Sequence, residues 1–156
     1  MHAVELSPMN RVGLLLLCFL ATIVRGATAE PSVLYVQVIR GSDQERPAGA
    51  NYQEVGPKLS AKLSPVFRWK HYWETERKKV QLEHGKITKV ALANQRSLEI
   101  ERLKSGELEV RLFRRSGLIT RTRQANDKRM AILGGEDAGK ESFFVVVRSD
   151  EPVNHE

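Results

Sequence analysis

Cysteine is almost missing from this chain: of 156 residues one is cysteine, Cys18. One cysteine can close no internal disulfide. It also lies within an apolar stretch near the start, so a chain that loses that stretch keeps no thiolate nucleophile and no cysteine metal ligand. Histidine is scarce as well. Past the leader only His71, His84 and His155 remain, far apart in sequence, whereas metal sites draw on clustered histidines and carboxylates. No metal centre and no cofactor is expected. There is no G-x-S-x-G, so a serine-hydrolase elbow has no support. Carboxylates such as Glu99, Glu101, Glu107 and Glu109 are plentiful, but none stands out as half of a catalytic pair. No catalytic residue can be assigned. Long apolar runs are missing too: the stretch 12–24 holds 13 residues, short of the roughly 20 that cross a bilayer.

That short run has the anatomy of an export signal. Arg11 supplies a cationic lead, Val12 to Val24 an apolar centre, and Ala27 and Ala29 a small-x-small ending. The expected processing removes 1–29, and "MNRVGLLLL" makes Met9 a better start than Met1 for such a signal. Arg11, Arg25 and Glu5 leave with it, so 23 basic residues face 18 acidic ones, a net of +5 over 127 residues. That length supports one core without disulfides. The expected organisation is a single domain over 30–150 and a charged, frayed tail over 151–156, in the periplasm or outside the cell, with no transmembrane helix in the processed chain.

What the sequence does contain is strand. Val33 to Ile39 alternates Leu34, Val36 and Val38 against Tyr35 and Gln37. A polar stretch with two prolines follows and reads as a loop. The segment 58–63 predicts one or two helical turns after Pro57, with Leu59 and Leu63 paired on one side and Pro65 as the stop. From Pro65 onward the pattern is β: an aromatic strand over 67–73, two strands around His84-Gly85, a three-stranded meander over 96–124, and two strands flanking "LGGEDAGKES". The meander rests on two basic-Ser-Gly triplets, 104–106 and 115–117, each matching a three-residue hairpin loop with glycine in the left-handed position. These loops set Ile100 opposite Val110, Leu98 opposite Leu112, Leu112 opposite Thr120 and Arg114 opposite Leu118. Both registers bury Leu108, Val110 and Leu112, and a one-residue slip would expose all three. Phe143 to Val147 reads as a strand buried on both faces. About eight short strands with at most one short helix predict an all-β antiparallel sandwich or a small barrel. This rhythm is generically similar to immunoglobulin-like and carbohydrate-binding sandwiches and rests on no motif, so it licenses no function.

Three features compete for a functional reading. Gly134, Gly139 and Lys140 have the spacing of a phosphate loop, but Glu141 stands where a hydroxyl must hold magnesium, and a strand follows where a helix is needed. No nucleotide is expected there. The aromatic strand offers Trp69, His71, Tyr72 and Trp73 as a stacking platform if exposed, or as core if buried. The outer face of the meander sets Phe113 opposite Ile119, Arg111 opposite Arg121 and Glu109 opposite Arg123, with Arg114 and Arg115 at the tip. Like charges facing each other destabilise a hairpin, so this face wants either an acidic neighbour, which Glu99 can supply, or an anionic partner. Nucleic acid is disfavoured by export and by the lack of a binding motif. The expectation is an exported, non-catalytic domain that binds a protein or an anionic envelope component through these two surfaces. The rival expectations are a hydrolase of envelope or extracellular polymer with unidentified carboxylates, and a structural subunit pairing through an edge strand such as 33–39.

Overall fold

The computed structural model describes residues 32–153 apart from 116 and 138. The expected leader and both alternative starts lie outside the described residues. Among those described, no helix is long and apolar enough to cross a membrane.

The elements are β1 (Ser32–Ser42), β2 (Gln53–Glu54), α1 (Pro57–Phe67), β3 (His71–Leu82), β4 (Ile87–Leu92), β5 (Arg96–Arg102), β6 (Leu108–Arg114), β7 (Gly117–Gln124), β8 (Met130–Asp137) and β9 (Glu141–Arg148). They form two antiparallel sheets, β2-β3-β1-β9-β8 and β4-β5-β6-β7. The all-β expectation holds, and the sheets stack as a sandwich without closing into a barrel. The space between them is filled by alternate residues of both: Leu34, Val36 and Val38 from β1, Leu98 and Ile100 from β5, Val110 and Leu112 from β6, and Val145 and Val147 from β9.

The five-stranded sheet is buried on its other face as well. There α1 lays Leu59 and Leu63 over Ile39, Tyr72, Phe144 and Val146. This is why 143–147 reads as an unbroken apolar run: Phe144 and Val146 face the helix, Val145 and Val147 the second sheet. β3 serves both layers in turn. Thr75 is an extra residue in its pairing with β1, since Val38 meets Glu76 and Ile39 meets Glu74. The bulge reverses the pleat: Tyr72 packs on the helix side, while Val80 and Leu82 point into the sandwich.

Several expectations need correction. Pro65 does not stop the helix, which runs on to Phe67 and ends at Arg68 in the left-handed region, φ 60°. Proline removes only its own N–H from the last turn, and the extension seats the Phe67 ring on Phe144, centroids 4.1 Å apart. The strand expected over 67–73 therefore starts only at His71. The sequence left open which face of this strand is covered, and within it Tyr72 and Glu74 are the buried side chains. The segment 33–39 is no edge, because β1 lies between β3 and β9.

The meander stands, with Ile100 opposite Val110, Leu98 opposite Leu112, and Leu112 opposite Thr120. Its first loop is as expected, with Gly106 at φ +87° and its N–H bonded to Leu103. The second differs. Arg115, not Gly117, takes the left-handed conformation, φ 53°. A bulge at Ile119 then sets Phe113 opposite Leu118 and Arg114 opposite Gly117, where Ile119 and Leu118 were expected. The physical reason is Ile119, which packs against the sandwich core and would face outward in the unbulged register. Of the tail, Pro152 is buried, and its carbonyl accepts a hydrogen bond from Arg77 Nη1 at 3.0 Å.

Candidate functional site

The inward stripes of three strands end alike. Along β1 the residues facing the second sheet run Leu34, Val36, Val38 and then Arg40. Along β5 they run Ile100, Leu98, then Arg96, and along β6 Val110, Leu112, then Arg114. Arg96 and Arg114 stand directly opposite each other across β5 and β6, and Arg40 stands opposite Phe143 across β1 and β9. At this one end of the sandwich the core gives way to an open cleft of about 900 Å³, lined by these three arginines with Tyr52, Thr75, Asn94, Glu141, Ser142 and Phe143.

Two of the guanidinium groups lie over rings. Arg96 lies over Phe143 at 3.9 Å from its centroid, and Arg40 over Tyr52 at 5.7 Å. Ring contacts of this kind leave the N–H edge of a guanidinium as its hydrogen-bonding side. Glu141 is the one carboxylate among the described residues of the cleft, and it is bound by Arg40 Nη2. Arg40 Nε is buried with no hydrogen-bond partner. Among the described lining residues three guanidiniums stand with one carboxylate, and Arg96 and Arg114 set like charges opposite each other.

The flat basic face is different in kind. Arg111 does face Arg121, and Glu109 does face Arg123. Around Arg111, however, stand Glu101 at 3.2 Å, Glu99 at 3.6 Å and Glu109 at 3.7 Å, and Arg123 Nε donates to Glu109 at 2.8 Å. That hydrogen bond is the main cause holding the Glu109 carboxyl below its usual range; burial opposes it, and the charges of Arg123, Arg111 and Arg121 add to it. The face thus neutralises much of its own charge. Arg115 is occupied otherwise, its N–H and Nε both donating to Gln95 at 2.8 and 3.0 Å, which ties the β6–β7 turn to the β4–β5 turn. Of the five arginines singled out in the sequence, Arg114 alone reaches the cleft.

The aromatic residues separate too. Tyr72 is 2% exposed and belongs to the helix-side core. Its hydroxyl oxygen accepts from the Trp69 N–H at 3.2 Å, and Trp69 packs against the same core. His71 stacks on Trp73 at 5.5 Å, and Trp73 lines a second, shallower cleft of about 690 Å³ with Arg46, Tyr52 and Pro57. Tyr52 borders both clefts. No group of three or more histidine, cysteine or acidic side chains placed to hold a metal occurs among the described residues. The stretch around Gly134 and Lys140 joins β8 to β9 as a hairpin, with Gly139 at φ +75°.

Sequence reasoning missed Arg40, Arg96, Tyr52 and Phe143. A signal for one of them was present: once Leu98 faces Leu112, the same register sets Arg96 opposite Arg114 on the inward side. The chain matches no protein-family model, no curated protein and no solved structure.

Proposed function

We propose that this is an exported, non-catalytic binding domain for an anionic component of the cell envelope, and that its binding site is the arginine-lined cleft at the end of the sandwich. One observation carries the reading. Three inward stripes, drawn from both sheets, each replace an aliphatic residue with arginine at the same end of the fold. Packing alone favours apolar or neutral residues at such positions, since taking a charge out of water is costly. Arginine in that place suits recognition of carboxylate, sulfate or phosphate by paired N–H donors. Export is read from the leader, and binding rather than hydrolysis from the carboxylates: Glu141 is engaged by Arg40, and Glu109, on the far face of its sheet, is held ionised by Arg123.

The test is retention on immobilised heparin, a polyanion, at low salt. Arg114→Ser is expected to weaken affinity about tenfold, the value of one charge-assisted hydrogen-bonding group. Arg121→Ser, on the flat face, is expected to change it less than twofold. The reverse ranking would move the site to the flat face, and absence of retention by the unmodified protein would remove the proposal.

A further inference from the structure

Resting on that reading of the cleft, we infer that its ligand is a carboxylate-bearing sugar unit and that Glu141 occupies the ligand carboxylate's place on Arg40 until the ligand arrives. Glu141 is the first residue of β9, paired with Ser42 of β1 and two residues past Gly139, whose φ is positive. Its carboxylate engages one terminal nitrogen of Arg40, and the buried Nε of the same guanidinium is left without a partner. A guanidinium satisfies a carboxylate best through two parallel N–H bonds. Arg40 is therefore half-used by its internal partner, and a carboxylate entering the cleft can take the two-bond geometry that Glu141 does not.

The other walls point to a sugar rather than a peptide. The strands that carry the charged residues of the cleft, β1, β5, β6 and β9, each have a neighbour on both sides. Their backbone groups are committed to ladders, so an extended peptide has no strand edge to join there. Recognition falls to side chains: the Asn94 amide, the Thr75 hydroxyl, which donates to the Val38 carbonyl at 3.3 Å and keeps its lone pairs, and the Tyr52 ring. Short hydroxyl and amide groups match the hydroxyls of a sugar, and an aromatic wall matches its ring face. The cleft volume, about 900 Å³, is that of a small-ligand site.

Isothermal titration with glucuronate, glucose, acetate and poly-glutamate tests this. Glucuronate is expected to bind measurably and glucose and acetate at least tenfold more weakly. Glu141→Gln, with Glu141→Ser as a second variant and a cooperative melt as the folding check, is expected to tighten glucuronate about three- to tenfold. Glucuronate binding that Glu141→Gln leaves unchanged or weakens would make Glu141 a structural clamp and overturn the inference while the binding function stands. Acetate or poly-glutamate binding as tightly as glucuronate would overturn it as well, and so would heparin retention without glucuronate binding. If neither heparin nor glucuronate binds, the function beneath it falls too.

Discussion

At the scale of single residues, two glycines that look alike in sequence separate in space. Gly106 has φ +87°, and a Cβ there would come within 2.2 Å of the Asn126 side chain. Gly117 has no such conformation, and its nearest neighbour to an added Cβ is a carbonyl at an ordinary 3.7 Å. Gly106→Val is therefore expected to cost about 1–2 kcal/mol, the penalty of a β-carbon in the left-handed region, and Gly117→Val about 0.5 kcal/mol or less. Urea denaturation of the two variants measures both, and equal costs would contradict the assigned turn. Glu109 gives a second test. Its carboxyl is lowered by the Arg123 hydrogen bond, so its stabilisation is complete above the unfolded-state value of about 4.3 and fades as pH falls through the lower folded value. Glu109→Gln should lower the melting temperature at pH 7, and the gap to the unmodified protein should close as pH falls below about 4.3. A constant gap across that range would show that the ion pair does not matter. The basic-Ser-Gly repeat made the first turn legible. The second escaped because Arg115 accepts a positive φ to reach Gln95, a partner far off in sequence.

At the scale of elements, what was legible depended on whether periodicity met a bulge. β5 and β6 carry none between them, and their register follows from the sequence residue by residue. β3 carries one at Thr75, so no single period describes it, and the sequence left open which face of its aromatic start is covered. α1 was legible as a site and underestimated in reach, because Phe67 gains a partner, Phe144, that lies 77 positions away. Its docking is what turns the five-stranded sheet into a middle layer. Leu63 is fully buried beneath it, so Leu63→Ala is expected to cost about 2–5 kcal/mol, measured by chemical denaturation. A cost under 1 kcal/mol would mean that the helix is only loosely applied. The cleft itself was the least legible part, since it needs residues from β1, β5, β6 and β9 at once, and no local pattern reports which ends of distant strands coincide.

At the scale of the whole molecule, β1 and β9 bind the layers into one unit. They pair at the centre of the five-stranded sheet, Val36 opposite Val147 and Val38 opposite Val145. Each contributes to both cores: Val38 and Val145 face the second sheet, and Ile39 and Phe144 face the helix. The helix layer cannot loosen without disturbing side chains on the same two strands that close the sandwich. A single cooperative transition is therefore expected. Trp69 packs against the helix-side core and Trp73 lines the cleft beside the first turn of α1, so tryptophan fluorescence reports mainly on that layer, while far-ultraviolet circular dichroism reports on the sheets. The two probes should give coincident thermal curves. Leu63→Ala on the helix side and Leu98→Ala between the sheets, both at fully buried positions, should move both curves together. Fluorescence melting ahead of circular dichroism in Leu63→Ala would show that the helix is a separable layer. The sandwich would then be stable without it, and the arginine-lined cleft, which takes nothing from α1, would still bind heparin at temperatures where the helix side has already opened.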